Sequence, residues 1–286
     1  MTDLNPRLNA FRDDLADANL HGKVQAQAFV EGKPAWITAT VADMNRRPDA
    51  LSGLDTQLLQ GDPVSVFDRA NGFAWVQDLT DGYVGYVDEL ALTETPLAAT
   101  HTVTAPRTFV YPGPDMKLPV LRALSMGTNV QVSGETETRG TRYLVLADGT
   151  AMIARHLKPI TQADADYVTT AETLLNTPYL WGGTSGFGID CSGLVQLAMR
   201  MAGRNVLRDT SMQETTVGEP LDPGPDFSGA RRGDLVFWKG HVAIMTDPAK
   251  MIHANGHTMQ VSHESLADAV KRIGYLYGQP TSFRRP

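Results

Sequence analysis

The chain has 286 residues, 42% hydrophobic and 20% charged, with a formal net charge of -7. That length exceeds the usual single domain, so two or three domains with buried cores are expected. The acidic balance, 25 Lys and Arg against 32 Asp and Glu, argues against nucleic acid or an anionic membrane as the main partner, since both need a clustered positive field.

A single cysteine leaves no intramolecular disulfide. The N-terminus reads Met-Thr-Asp-Leu-Asn-Pro, then Arg7, Arg12, Asp13, Asp14 and Asp17, without the basic start and unbroken apolar core of a signal peptide. No stretch is apolar over the ~18 residues of a membrane span. A cytoplasmic location with no membrane partner is expected.

Residues 1–22 are polar, with Leu4, Leu8, Phe11 and Leu15 spaced as in a short amphipathic segment or an arm docked on another domain. Residues 23–97 read as short strands rich in Val, Ile, Phe, Trp and Tyr, parted by turns at Glu31-Gly32-Lys33-Pro34, Asn71-Gly72 and Asp81-Gly82. Asn-Gly between two such runs is a strong hairpin mark. Residues 98–160 repeat the style, and "GYVGYVDEL" and "GTAMIARHL" close the two stretches alike, a weak internal repeat. Two small all-β barrels in tandem are predicted.

The pattern changes at residue 161. A helix is predicted with Ala163, Tyr167, Ala171 and Leu174 on one face, ending at Pro178. A glycine-rich stretch, Gly182 to Gly188, leads into a second helix striped with Leu194, Val195, Leu197, Ala198 and Met201 and stopped at Gly203. After a polar loop come four strands, "GDLVFWKG", "HVAIMTD", "KMIHANG" and "TMQVSHE". Residues 161–286 are therefore α+β.

Thiolate chemistry needs a cysteine that loses its proton, a base to take it and a group to orient the base. Cys191 stands where the glycine-rich loop meets a helix, whose N-terminal N–H groups are expected to lower the thiol pKa and to hold an oxyanion. Of seven histidines, His241 begins one strand and His253 lies twelve residues on in the next. A hairpin turning at Asp247-Pro248 brings both imidazoles to one end, a Cys-His-His arrangement. Asp190 suits a helix N-cap. Taken residue by residue, a lone cysteine is more often a small buried hydrophobe, and a lone histidine more often structural. Both readings stand on the residues alone.

The segments "TPYLWGGTSGFGIDCSGLVQ", "RRGDLVFWKGHVAIM" and "MIHANG" closely resemble, in order, the motifs of the NlpC/P60 family of cell-wall cysteine peptidases, with a papain-like catalytic domain. The two predicted barrels resemble bacterial SH3 domains. With them, the chain is similar to a narrower group, the γ-D-glutamyl-L-diamino-acid endopeptidases, which cut murein stem peptides bearing a free N-terminal L-Ala and release L-Ala-γ-D-Glu.

The resemblance implies Cys191 as nucleophile, His241 as base, His253 as its orienter, and Tyr179 as a hydroxyl beside the thiol. Asp190 and Ser192 match positions near the substrate amine and backbone. Without that ammonium, a buried Asp190 is expected to stand unpaired. In this group the first SH3 domain closes one end of the cleft and supplies an acid and a tyrosine. Asp62 and Tyr83 are the candidates here, with Tyr86 assigned to the core by strand alternation. The implied role is recycling of murein peptides, with no cofactor and no metal. The alternatives are an amidase or acyltransferase of the same fold, or a non-catalytic wall-peptide binder.

Overall fold

The computed structural model describes residues 4–49 and 51–286; residues 1–3 of the predicted arm lie outside it. The chain forms two compact units, one ending at Ile160 and the other running from Thr161 to Pro286.

In the first unit the described part of the arm forms no α-helix, only a single 3-10 turn at Ala18–Leu20. Leu15–Asp17 pairs in parallel with Ala28–Val30, and Ala10 and Leu15 pack on Phe67 and Trp75 of the first sheet. Arg12 fastens this contact: its guanidinium lies 4.4 Å over the Trp75 ring and donates to Asp68 at 2.8 Å and to the Tyr86 hydroxyl at 3.1 Å. A cation on an indole face with two acceptors at its edge is a favourable site for Arg.

The first sheet has seven strands, in the order Leu54–Leu59, Val41–Asn45, Val84–Asp88, Phe73–Asp78, Pro63–Ala70, Lys33–Ile37 and Leu92–Thr93. Asn71 and Gly72 both have positive φ (55° and 82°), the primed turn that matches strand twist and that Asn-Gly favours. Residues 101–159 form three small sheets around Val103, Val110, Leu124, Val130, Leu146 and Met152. The repeat seen in sequence has a structural form. Each stretch ends in a strand, a single 3-10 turn and a short closing strand, at Val84–Thr93 and at Ala151–Pro159.

The second unit is α+β. One antiparallel sheet runs Glu219–Leu221, Ser282–Arg285, Leu235–Trp238, His241–Asp247, Lys250–Asn255 and Gln260–Ser265. The first helix is shorter than its apolar spacing predicts, Tyr167–Thr173. Leu174 caps its end, and Asn176, with a φ of 65°, turns the chain away before Pro178 is reached. The second, Cys191–Met201, is buried along Leu194, Val195, Leu197, Ala198 and Met201 and ends at Gly203 with φ 73°.

Two helices fall where none is predicted. Thr210–Thr216 lies in the polar loop. Leu266–Tyr277 follows the last predicted strand and seals one face of the sheet, with Leu266, Ala269 and Ile273 against Trp238, Met245 and Met251. Its start was legible in principle: Ser265 and Asp268 bond reciprocally as a cap, and the apolar positions recur at helical spacing. Among the described residues no helix is long and apolar enough to cross a membrane.

Candidate active site

The glycine-rich loop folds back on itself, Thr184–Ser185 pairing with Gly188–Ile189. It then delivers Asp190 in extended conformation as the N-cap of the helix that Cys191 begins. Gly193 lets the two approach closely, since a Cβ there would lie 2.3 Å from the Gly183 carbonyl oxygen. Cys191 is 7% exposed. Its Sγ lies 3.7 Å from the Thr210 hydroxyl, which the unpredicted helix Thr210–Thr216 supplies, and the Val242 N–H points at it.

The expected lowering of the thiol pKa does not occur. Burial, aided by the neighbouring Asp190 carboxylate, pushes it up to about 11 against the pull of Val242 N–H, Thr210 and Arg208. Desolvation of a nascent anion outweighs those three influences here. Because Cys191 is the only cysteine, alkylation reads this site alone. The rate constant with iodoacetamide is expected to rise about tenfold per pH unit from 7 towards 10, as the thiolate fraction does. A rate already at its plateau near pH 7 would show a resting thiolate and overturn this assignment.

His241 opens the strand His241–Asp247, and His253 sits within its neighbour Lys250–Asn255. The hairpin turns after Asp247, and His241 Nε2 lies 2.9 Å from His253 Nδ1. Burial, then the adjacent His253, holds the His241 pKa down to about 3, and burial lowers that of His253. Both imidazoles are neutral at pH 7, the form in which a base can accept a proton.

His253 is 1% exposed, and its Nε2 lies 3.2 Å from Glu264 Oε2 without the alignment of a hydrogen bond. Arg272 grips that carboxylate with two bonds, 2.9 and 2.6 Å. Burial alone would raise the Glu264 pKa; Arg272 and His253 overcome it and bring it down to about 2. Neither Glu264 nor Arg272 is singled out in the sequence, because one ends an edge strand and the other lies in the unpredicted helix.

Tyr179 is bridged to Ile189 beside the loop. Burial, then the nearby Cys191 and Asp190, raises its pKa, so it stays a hydroxyl donor. Asp190 departs from expectation. Oδ1 accepts from Gly193 N–H at 2.7 Å, Arg208 Nη1 at 3.0 Å and Ser192 Oγ at 3.2 Å; Oδ2 accepts from Arg208 Nη2 at 2.7 Å and Gly182 N–H at 2.9 Å. Its counterion is internal, so it does not stand unpaired without an ammonium. Ser192 is buried and shares the pair, accepting from Arg208 at 2.7 Å.

Cys191, His241, His253, Tyr179, Asp190 and Ser192 all lie in the second unit; Asp62 and Tyr83 lie in the first. Asp62 is buried and its carboxylate accepts from Leu59 N–H at 2.8 Å, holding its own turn rather than presenting a free acid. The alternation predicted for the tyrosines is reversed. Tyr83, Gly85 and Val87 face inward, while Tyr86 is half-buried and bonded to Arg12.

Known proteins resemble this chain in both of its units. The model of the NlpC/P60 family matches residues 176–273, and that of the bacterial dipeptidyl-peptidase Sh3 domain matches residues 44–92. A gamma-D-glutamyl-L-lysine dipeptidyl-peptidase of Bacillus cereus is 31% identical over 251 residues, 77% of this chain and 72% of that protein. Dipeptidyl-peptidase 6 of Lysinibacillus sphaericus is 26% identical over 273 residues, 85% of this chain and 99% of that protein. The crystal structure of an NlpC/P60 family protein from Bacillus cereus shares the fold, with a TM-score of 0.72 over 88% of this chain and 99% of that one at 24% identity.

Proposed function

The chain belongs to the NlpC/P60 family and is a cysteine peptidase, and on that premise we propose that it hydrolyses the γ-D-Glu–diamino acid bond of murein stem peptides with a free N-terminal L-Ala, releasing L-Ala-γ-D-Glu. The observation that carries the chemistry is the 2.9 Å contact of His241 with His253, on a strand whose next residue, Val242, points its N–H at Cys191 Sγ. The bond cut is inferred from the names of the relatives.

Cys191 attacks the γ-carbonyl while His241 takes the thiol proton and then gives it to the leaving amine. Water hydrolyses the thioester. The helix N-terminal N–H groups ahead of Gly193, whose own N–H Asp190 takes, are with the protonated Tyr179 hydroxyl the donors offered to the oxyanion. His253 orients His241. The high thiol pKa means that proton transfer accompanies attack instead of preceding it.

Residues 98–160 are read as a second SH3-like barrel, and the setting as recycling of wall peptides in the cytoplasm. The free amine is the element of specificity to test. L-Ala-γ-D-Glu-L-Lys and its N-acetyl form are incubated with the full chain, and products are identified by mass. The free peptide is expected to be cleaved about 10- to 100-fold faster, the worth of one charge-assisted hydrogen bond. Equal rates would overturn amine recognition; the absence of L-Ala-γ-D-Glu among the products would overturn the assigned bond.

A further inference from the structure

Behind the histidine pair stands a charged pair that fixes where the imidazole hydrogens lie. His241 can take a proton only at a ring nitrogen that carries none. Its Nε2 faces His253 Nδ1 at 2.9 Å, which leaves Nδ1 for the thiol. For Nδ1 to be bare, the hydrogen of neutral His241 must sit on Nε2 and be donated to His253 Nδ1. His253 Nδ1 must then be bare as well, so the hydrogen of neutral His253 sits on its Nε2.

Nothing in the two rings alone selects this pair of tautomers over its mirror, in which His253 donates and His241 loses its free Nδ1. The selection comes from the far side. His253 Nε2 is a buried nitrogen with no aligned partner, and Glu264 Oε2 lies 3.2 Å away. A hydrogen on Nε2 meets a carboxylate; a lone pair there would face the same carboxylate in a water-poor setting, where repulsion is weakly screened. Arg272 clamps both Glu264 oxygens, keeping the carboxylate ionised and in place. The charged or titratable groups around His253 are His241 and Glu264 on the flanking strands, Arg272 on the helix and His257 on the following turn.

We propose that Glu264, held by Arg272, is a positioning residue that sets the tautomers of His253 and, through it, of His241. This rests on the roles given above to Cys191 and His241. The direct test is nitrogen-15 NMR of the imidazoles in the full-length wild-type chain between pH 7 and 8, without substrate. Both histidines are expected to carry hydrogen on Nε2, with Nδ1 bare. His253 protonated on Nδ1 would overturn the proposal.

Glu264→Gln, which can present an N–H to Nε2, is expected to move hydrogen to His253 Nδ1. It should lower kcat on L-Ala-γ-D-Glu-L-Lys about 10- to 100-fold at unchanged KM, because only the minor tautomer then leaves His241 Nδ1 bare to take the thiol proton. Unchanged tautomers and kcat in a folded variant would also overturn it. The wild-type spectrum needs neither substrate nor variant, so an error in the assigned substrate would appear in product masses and leave the tautomer result intact.

Discussion

Arg208→Met is expected to lower the stability of the second unit by about 3–5 kcal/mol, the cost of leaving a buried carboxylate without its counterion. Arg208 is 1% exposed and gives two hydrogen bonds to Asp190 and one to Ser192. A buried guanidinium–carboxylate pair adds little net stability over an apolar pair of similar volume, but half of it is costly to keep. Asp190 also caps the nucleophile helix, so its displacement should loosen the turn that carries Cys191 and lower activity too. Arg208→Lys keeps the charge and loses the fork, and should fall between. Urea unfolding measures this, read in the transition of the second unit because a two-unit chain need not unfold in one step. A loss below about 1 kcal/mol, the worth of an exposed pair, would show that the buried pair is not holding the cap.

The parts of the site legible in sequence are those fixed by short-range rules. The glycine-rich loop, the capped helix and the Asn71-Gly72 hairpin each follow from a few adjacent residues, and the His241–His253 approach follows from two strands and one turn. Arg208, Thr210, Glu264 and Arg272 were not legible. Arg208 reaches the site from a loop, Thr210 and Arg272 from helices that the apolar pattern does not announce, and Glu264 from the end of a predicted edge strand, and each acts through a long-range polar contact that leaves no periodic trace. The thiol pKa was misjudged for a related reason. A helix terminus is visible in sequence, but the burial of Cys191 under the His241 strand is a tertiary fact, and burial is the largest influence on the thiol. The tyrosines differ from expectation in register: Tyr83, Gly85 and Val87 share the buried face, so alternation turns Tyr86 outward to Arg12.

Cys191→Ala and His241→Ala are each expected to lower kcat/KM at least about 10⁴-fold, and the double variant to lose no more than the worse of the two. Each residue works only through the other. A thiol held near pKa 11 is nearly all protonated at neutral pH, so attack needs a base to remove its proton as the bond forms. Without a thiol, His241 has no nucleophile to activate. The activity left in each single variant then comes from the oxyanion donors and substrate positioning, which neither change removes, so removing both residues reaches the same floor. His253→Ala should cost less, about 10²-fold, because His241 keeps its place on the strand and loses only its orienting partner. The measurement is kcat/KM on L-Ala-γ-D-Glu-L-Lys for the three single variants and the Cys191–His241 double. Additive losses in the double would mean that the two residues act independently, and the base role of His241 would fall with that result.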